Sequence, residues 1–376
     1  MGLVRMVVDF LNFICNFQFL RMAVLWTLSL VFSYLKLLFQ SFFSSELKRY
    51  PRCSIKDYAF ANPYVTRPVC VITGATSGLG AAAAYALSKE GFYVVLVGRS
   101  SKLLSKTISS IKSRNGDACL KAFEADLSSF KSILEFKHSL QQWLLDSKMH
   151  CSVQLLINNA GILATSPRFT SEGYDQMMTT NYIGPFCLTK LLLTFLENSP
   201  VPSRVVNVTS FTHRNVCCMR ADRKTVSGRR FTKLECYPFA DIYECSKLCL
   251  LLFTYELHRQ VGLTEKSRHV SVIAADPGAV QTNIMREMPS CVSQMAYAGL
   301  KILSLLQSPE TGVRSIVDAA LAPPDVSGVY FFGGNGRCLN SSGLSYDAKL
   351  ANDLWVTSCN LFEQRSEGVS VGLIDE

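Results

Sequence analysis

The stretch VCVITGATSGLG, residues 69–80, decides the fold of this chain. Its first four residues are apolar, which is typical of a strand buried on both faces of a parallel sheet. Gly74, Gly78 and Gly80 form a turn, and the alanine-rich segment after them has a high helix propensity. A strand, turn and helix in this order present free backbone N–H groups at the positive end of the helix. The stretch therefore predicts a phosphate-binding corner.

Six further apolar runs follow the first strand, and segments with helical character separate them. The runs are residues 93–97, 122–127, 155–157, 204–208, 269–274 and 329–332, and the clearest helical segments are 131–145 and 175–196. Strands that alternate with helices are typical of right-handed crossovers between parallel strands. We therefore expect an α/β fold: a single doubly wound parallel-sheet Rossmann domain with an N-terminal membrane segment.

Residues 22–43 form a long apolar segment with one charge, Lys36. At 1.5 Å of rise per residue, a helix of this length crosses a hydrocarbon core about 30 Å thick. We expect a signal anchor, and the alternatives are a cleaved presequence and a helix on the membrane surface. Lys48, Arg49 and Arg52 follow the segment, so the positive-inside rule predicts a single pass with a cytoplasmic main domain. The expected membrane is the endoplasmic reticulum.

These patterns divide the chain into four parts. Residues 50–68 contain three prolines and little periodicity, which is typical of a linker. The predicted parts are a membrane anchor at 1–46, a linker at 47–66, a Rossmann-type domain at 67–363 and a polar tail at 364–376.

Composition limits the kinds of partner that the chain is expected to bind. Of its 376 residues 48% are hydrophobic, the net charge is +9, and 14 cysteines lack disulfide-framework spacing, which favours a reducing compartment. The basic segment 214–233 brings no nucleic-acid-reading motif, so nucleic acid is not an expected partner. No histidine completes a zinc pattern beside the cysteines, so no metal is expected.

The second predicted strand ends in Gly98-Arg99, and a side chain at this strand end selects between dinucleotides. A carboxylate at this place binds the ribose 2′-hydroxyl of NAD, but this chain has Arg99. A guanidinium suits a 2′-phosphate, through charge-assisted and often bidentate hydrogen bonds. The sequence therefore favours NADP(H), with NAD(H) as the alternative.

The segment YECSK places Tyr243 and Lys247 four residues apart, on one face of a predicted helix. A nearby ammonium favours the phenolate and lowers the phenol pKa from about 10. That makes the tyrosine a general acid and base for an alcohol or carbonyl. Ser210 lies just past the fifth predicted strand, where its hydroxyl is expected to hold the substrate oxygen.

The motifs TGATSGLG, NNAG, NVTS, YECSK and DPGAVQT occur in one order, and over residues 67–363 the chain resembles the short-chain dehydrogenase/reductase family. The resemblance implies a catalytic tetrad of Asn181, Ser210, Tyr243 and Lys247. Tyr243 would exchange the proton and Ser210 would polarise the substrate oxygen. Lys247 would bind the nicotinamide ribose and lower the tyrosine pKa, with Asn181 supporting a proton-relay water.

The same resemblance implies the residues that bind the cofactor. They are Thr73, Gly74, Thr76, Ser77, Gly78, Leu79, Gly80, Arg99, Asp126, Leu127, Asn158, Ala160, Gly161, Tyr243, Lys247, Pro277, Gly278 and Thr282. Asp126 and Asn158 would line the adenine and ribose pockets, and Pro277, Gly278 and Thr282 would flank the nicotinamide.

Finer features are similar to the membrane-associated, retinol- and polyprenol-dehydrogenase-like branch of that family. They are YIGPF at 182–186, SKLCLLLFTYELHR at 246–259 and the later segment SYDAKLANDLWVTSCNLF. This implies an oxidoreductase that interconverts a lipophilic alcohol (retinoid-, polyprenol- or sterol-like) and its carbonyl at a membrane. The sequence leaves the oligomeric state open, and a homo-oligomer is one alternative. The rival interpretation is a non-enzymatic NADPH-sensing or scaffold protein that retains the fold.

Two features depart from the pattern of the family. Ser210 and Tyr243 are 33 positions apart, wider than in many members, and the basic insertion at 211–238 is expected to form a lid or a membrane contact. Asp276 stands where many relatives have histidine or asparagine, which leaves the local nicotinamide contact open.

Overall fold

The computed structural model describes residues 17–43, 48–54, 67–147, 149–231, 236–267 and 269–372. The first sixteen residues of the predicted anchor, residues 55–66 of the predicted linker and the last four residues of the predicted tail lie outside the described residues.

Seven of the nine strands in the described part of the chain form one parallel sheet. The strands are β1 Val69–Thr73, β2 Tyr93–Gly98, β3 Cys119–Glu124, β4 Leu155–Asn158, β5 Ser203–Val208, β6 Val270–Asp276, β7 Ala279–Val280, β8 Leu306–Gln307 and β9 Val329–Phe332. The sheet has the order β3-β2-β1-β4-β5-β6-β9, and β7 pairs with β8 separately. Val71 on β1 lies between Val95 on β2 and Leu156 on β4. The strand order reverses there, which confirms the predicted doubly wound sheet.

Helices cover both faces of the sheet. They are α1 Phe17–Phe43, α2 Gly78–Lys89, α3 Ser101–Arg114, α4 Phe130–Asp146, α5 Gln176–Met178, α6 Gly184–Glu197, α7 Arg223–Val226, α8 Phe239–Gly262, α9 Ser290–Ile302, α10 Pro309–Gly312, α11 Arg314–Ala320 and α12 Ala348–Gly372. Because side chains alternate along a strand, Val71 packs with Phe136 in one core layer. Its neighbour Ile72 packs with Leu87 in the other layer.

The third strand lies earlier in the chain than predicted. β3 is Cys119–Glu124, whereas the apolar pattern predicted 122–127. The Ala125 amide still bonds the Gly98 carbonyl, and the chain then turns, with Ser128 donating to the Asp126 carboxylate. Leu127 is buried, but it belongs to this turn and not to the strand. Leu127 is apolar and buried although it lies in a turn, so the apolar pattern placed the end of the third strand too late in the chain.

The helix predicted over residues 175–196 is interrupted. α5 and α6 are joined by a π-helix, Thr179–Ile183, in which every residue is buried. π-helices are rare and frequently lie at functional sites. This π-helix contains Asn181.

The N-terminal helix α1 packs against the main domain along one face. It begins at Phe17, before the predicted start of the apolar span at Met22, and Phe17–Gln40 is long and apolar enough to cross a membrane. Met22, Leu30 and Leu37 are nevertheless buried, at helical spacing. Leu30 and Leu37 share a core cluster with Phe332 of β9.

Both flanks of the predicted main domain are structured where the structure describes them. Arg52 forms an ion pair with Asp318 at 2.6 Å, and the Tyr50 amide bonds the Gly336 carbonyl. Residues 48–54, predicted as part of the linker, are therefore held to the domain. At the other end, α12 continues to Gly372, into the predicted polar tail.

Candidate active site

The glycine turn after β1 has the backbone that the sequence predicts. Gly74 and Gly78 have φ of +65° and +52°, which favours glycine. A Cβ on Gly80 would lie 2.2 Å from the Gly74 carbonyl oxygen, so only glycine fits there. Ser77, the N-cap of α2, makes no side-chain capping hydrogen bond within the described residues. The first N–H groups of α2 are therefore left to bind an anion.

One cavity of about 520 Å³ lies at the carboxyl ends of the strands, beside this turn. It brings together most of the predicted site residues: Thr73, Gly74, Thr76, Ser77, Gly78, Leu79, Gly80, Arg99, Asp126, Leu127, Ala160, Gly161, Ser210, Tyr243, Lys247, Pro277, Gly278 and Thr282. This lining fits a nicotinamide dinucleotide that lies across the strand ends. The glycine turn has no room for a Cβ at Gly80, and Arg99 is exposed at the end of β2.

The prediction for Asn158 is wrong, because its side chain points into the protein interior. It is 1% exposed and donates to Thr189 and to Asn207, at 2.9 and 2.8 Å. Asn159, which the sequence analysis left out of the cofactor site, lines the cavity instead. Its amide group donates to the Thr73 carbonyl at 2.8 Å and so ties β4 to β1. The second asparagine of the NNAG motif was the signal for it.

Tyr243 and Ser210 both line the cavity, and Ser210 is near enough to oppose part of the rise in the Tyr243 pKa. Ser210 lies just past β5 and Tyr243 lies in the first turns of α8. Burial raises the pKa of Tyr243 above its usual range, and the nearby Asp276 raises it further. The expected lowering of the Tyr243 pKa by Lys247 is therefore not seen here, because burial dominates.

Lys247 lies one helical turn from Tyr243, with its ammonium 5.7 Å from the centre of the phenol ring. The ammonium donates to the Val208 carbonyl at 3.0 Å. Burial lowers the pKa of Lys247 from 10.5 to about 8, and Asp276 opposes the shift. The lysine is therefore mainly charged at neutral pH and loses its charge in mildly alkaline solution.

Asn181 lies just behind the cavity, held by the π-helix. Its side chain accepts from the Ile162 amide at 2.8 Å and donates to the Ile162 carbonyl at 3.0 Å. A Cβ on Gly161 would lie 3.5 Å from both the Asn181 oxygen Oδ1 and the Lys247 nitrogen Nζ. Asn181 and Lys247 therefore flank the same backbone segment, in an arrangement compatible with the predicted tetrad.

Asp276 holds the loop that carries Pro277 and Gly278, and does not face the cavity. Its carboxylate accepts from the Gly278 amide at 2.7 Å and from the Tyr330 hydroxyl on β9. Burial raises the pKa of Asp276 to about 6, while the Tyr330 hydrogen bond opposes the shift. Asp276 therefore has a structural role in shaping this loop.

His213 is a buried neighbour of Ser210 that the sequence analysis missed. Its Nδ1 lies 2.6 Å from the Ser210 carbonyl oxygen, and its Nε2 accepts from the Ser342 amide at 3.1 Å. These partners fix a neutral imidazole with the proton on Nδ1. Burial lowers the pKa of His213 to about 3, so it remains neutral and supports the Ser210 backbone.

The N-terminal helix also contributes to the site, which the sequence analysis did not predict. Trp26 lies 5.2 Å from Tyr243 between ring centres, and its indole N–H donates to the Glu244 carboxylate at 2.7 Å. Arg21 binds the same carboxylate at 2.8 Å. The cavity lining from α1 is Phe19, Met22, Ala23, Trp26, Thr27 and Leu30. An arginine and a tryptophan in an otherwise apolar segment were the available signal.

The insertion between Ser210 and Tyr243 does not form a lid in its described part. There, only Phe211 and Thr212 line the cavity. The 3₁₀-helix Phe211–Asn215, which contains both residues, packs against α1. α7 packs against α12, where Thr357 donates to the Ala221 carbonyl at 2.7 Å. These two parts of the insertion therefore contact the terminal helices α1 and α12.

Comparisons with known proteins agree with this geometry. A family model described as short chain dehydrogenase matches residues 68–219. Polyprenol dehydrogenase of Homo sapiens is 31% identical over 298 residues, which cover 78% of this chain and 84% of that protein. The Arabidopsis thaliana dehydrogenase/reductase SDR family member FEY is 33% identical over 69% of this chain and 66% of that protein. Retinol dehydrogenase 13 of Mus musculus is 30% identical over 77% of this chain and 82% of that protein.

Solved structures share the fold. An uncharacterised protein from Mycobacterium Paratuberculosis superposes with a TM-score of 0.59 at 26% identity, over 83% of this chain and 98% of that one. The angucycline C-6 ketoreductase LanV with bound NADP superposes with a TM-score of 0.56 at 20% identity, over 73% of this chain and 96% of that one. Sheet order, glycine turn and relatives that cover most of the chain lead to one conclusion. The chain belongs to the short-chain dehydrogenase/reductase family, whose cofactor is NAD(P)(H), and is an oxidoreductase that acts on alcohol and carbonyl groups.

Proposed function

We propose that this oxidoreductase prefers NADP(H) and interconverts a lipophilic alcohol with its carbonyl compound at a membrane. The observation that carries the proposal is the composition of one cavity. Ser210, Tyr243 and Lys247 share it with the glycine turn, while α1 and α9 supply apolar walls. A cavity that joins a polar reaction centre to apolar walls suits a long hydrophobic substrate with one oxygen. The retinoid, polyprenol and sterol classes all meet this description.

The proposed roles follow from the contacts of each side chain. Tyr243 donates its proton to the carbonyl oxygen in reduction and takes it back in oxidation; its raised pKa keeps the phenol protonated at neutral pH. Ser210, which lines the cavity together with Tyr243, orients the same oxygen. Lys247 supplies positive charge beside the tyrosinate that proton transfer leaves. A bound nicotinamide supplies or accepts the hydride at the carbon. Asn181 positions the backbone beside Lys247.

Two features support the cofactor preference. Arg99 follows β2 and lines the cavity with an exposed side chain, at the place where a carboxylate would select NAD. A guanidinium can bind a 2′-phosphate with charge-assisted hydrogen bonds. The relatives named for polyprenol and retinol support the substrate class, and the apolar helix α1 supports attachment to a membrane. We further propose that the main domain faces the cytosol from the endoplasmic reticulum.

The test measures turnover by full-chain protein purified in detergent. It should oxidise NADPH with a retinal, a polyprenal or a sterol ketone, and reduce NADP with the matching alcohol, with a lower KM for NADP(H) than for NAD(H). The Tyr243→Phe variant is the control for background reduction. Tight NADPH binding without turnover on any substrate class, together with a co-purifying protein partner, would favour the rival non-enzymatic sensor or scaffold.

A further inference from the structure

The outward face of α1 is apolar and exposed. Its large side chains there are between 46% and 74% exposed, from Leu35 to Phe17. The others are Leu20, Val24, Leu28, Phe32, Leu38 and Phe39. They recur every three or four residues along the whole helix, so they form one continuous stripe. A stripe of this size on one face is typical of a surface that contacts a lipid phase or a partner.

The inward face of α1 is fixed to the domain by polar contacts from one end to the other. Beyond Arg21 and Trp26, which bind Glu244, Ser29 donates to Asn215. Farther along, Gln307 donates to the Tyr34 hydroxyl at 2.9 Å. If α1 crossed a bilayer, it would leave these partners or place their polar groups in hydrocarbon, and each unsatisfied group is costly there.

A second apolar surface lies beside the first. Met295, Ile302 and Leu303, in or next to α9, are 61%, 84% and 55% exposed. α9 and α1 line the same cavity, and Leu300 packs in the same cluster as Leu30 of α1. The exposed faces of α1 and α9, named here the docking surface, therefore flank the cavity that holds Tyr243.

Charge identifies what the docking surface fits. The sequence has no Asp or Glu at 17–43 or at 290–306, whereas Lys36 and Lys301 lie in these segments. Apolar side chains with basic residues and no acidic ones match the interface of a bilayer that carries anionic lipid. A soluble protein partner would not require acidic residues to be absent over two helices.

We propose that α1 lies in the plane of the membrane interface without crossing it, and that the docking surface seats the cavity on anionic lipid. A lipophilic substrate then passes between α1 and α9 from the bilayer to Tyr243 without crossing water. The substrate path rests on the proposed function, but the mode of membrane attachment does not.

The first test is flotation of full-chain protein with phosphatidylcholine vesicles that contain phosphatidylserine. Leu28→Glu combined with Phe32→Glu, and Ile302→Glu alone, should each weaken binding by about tenfold or more. Leu263→Glu is the matched control, because Leu263 is 77% exposed but lies outside the docking surface. NADPH binding by all variants reports an intact fold. Equal flotation of all four proteins would overturn the proposal.

The second test distinguishes a helix α1 that lies in the membrane interface from one that crosses the bilayer. An epitope tag at the N-terminus of vesicle-bound protein should be digested by added protease from the same side as the main domain. A tag protected until the vesicles are opened would mean that the helix crosses, and would contradict the proposal. So would a stable dimer that buries the docking surface and does not float. Flotation without turnover on any lipid would support docking while the proposed function fails.

Discussion

The indole ring of Trp26 lies 5.2 Å from the phenol ring of Tyr243, between ring centres, and its N–H bonds the neighbouring Glu244. A residue of the N-terminal helix thereby forms part of the wall around the proton-transferring group. The helix that composition marks as a membrane segment is thus also a component of the site.

Trp26→Ala should raise the KM for a lipophilic carbonyl by about tenfold, because a half-buried aromatic wall is lost. The Kd for NADPH should stay within about twofold, since Arg21 and Asn215 still hold Glu244. Trp26→Phe keeps the ring without the N–H and serves as the matched control. Steady-state kinetics and a fluorescence titration check both values. An unchanged KM in the alanine variant would remove α1 from the substrate site.

Arg99→Ala should weaken NADPH binding by about tenfold and leave NADH binding unchanged, since a charge-assisted hydrogen bond to the 2′-phosphate is lost. Lys112→Ala removes an exposed charge of the same sign from the far end of α3 and should change neither affinity. Titration with both dinucleotides is the measurement. Equal losses for NADPH and NADH would argue against selection by Arg99.

Gly80→Ala should abolish measurable NADPH binding, because the new Cβ would lie 2.2 Å from the Gly74 carbonyl and must distort the turn. Gly116→Ala meets no atom within 4 Å and should bind like the wild type. Circular dichroism checks that both variants fold. A folded Gly80→Ala protein with wild-type affinity would show that the turn does not hold the phosphates.

The affinity for NADPH should fall as the pH rises through about 8. Burial lowers the pKa of Lys247 to about 8, so its ammonium is present below that pH and is lost above it. If the charged form binds the cofactor, linkage predicts a loss of up to about tenfold per pH unit. Lys247→Ala should bind more weakly at pH 7 and show a flatter profile. Parallel profiles for the two proteins would assign the pH dependence to another group.

The strands could be predicted because buried parallel strands are short apolar runs. Val69–Thr73 and Val329–Phe332 are at or within one residue of their predicted bounds. The choice between Asn158 and Asn159 could not be made from sequence, since successive side chains leave a strand on opposite sides. Which of the two faces the cavity depends on where β4 ends. The glycine turn, by contrast, could be placed from its motif alone, because its glycines directly follow the first strand.

The position of α1 and the π-helix at Asn181 depend on tertiary contacts. An apolar helix carries the same composition whether lipid or a protein core covers it, so only packing shows that Met22 and Leu30 face inward. Helical periodicity over residues 175–196 does not reveal one widened turn. His213 was missed because a lone histidine acquires its role from partners such as Ser342, which is 129 positions away.

Proton transfer by Tyr243 is the central claim, and the Tyr243→Phe variant tests it most directly. The measurement is single-turnover reduction of a lipophilic carbonyl by variant protein saturated with NADPH, beside a titration of NADPH affinity. The rate should fall by about 10²–10⁴, the usual contribution of a general acid, with the Kd for NADPH within about twofold of wild type. A variant that binds NADPH and reduces the carbonyl at the wild-type rate would contradict the account.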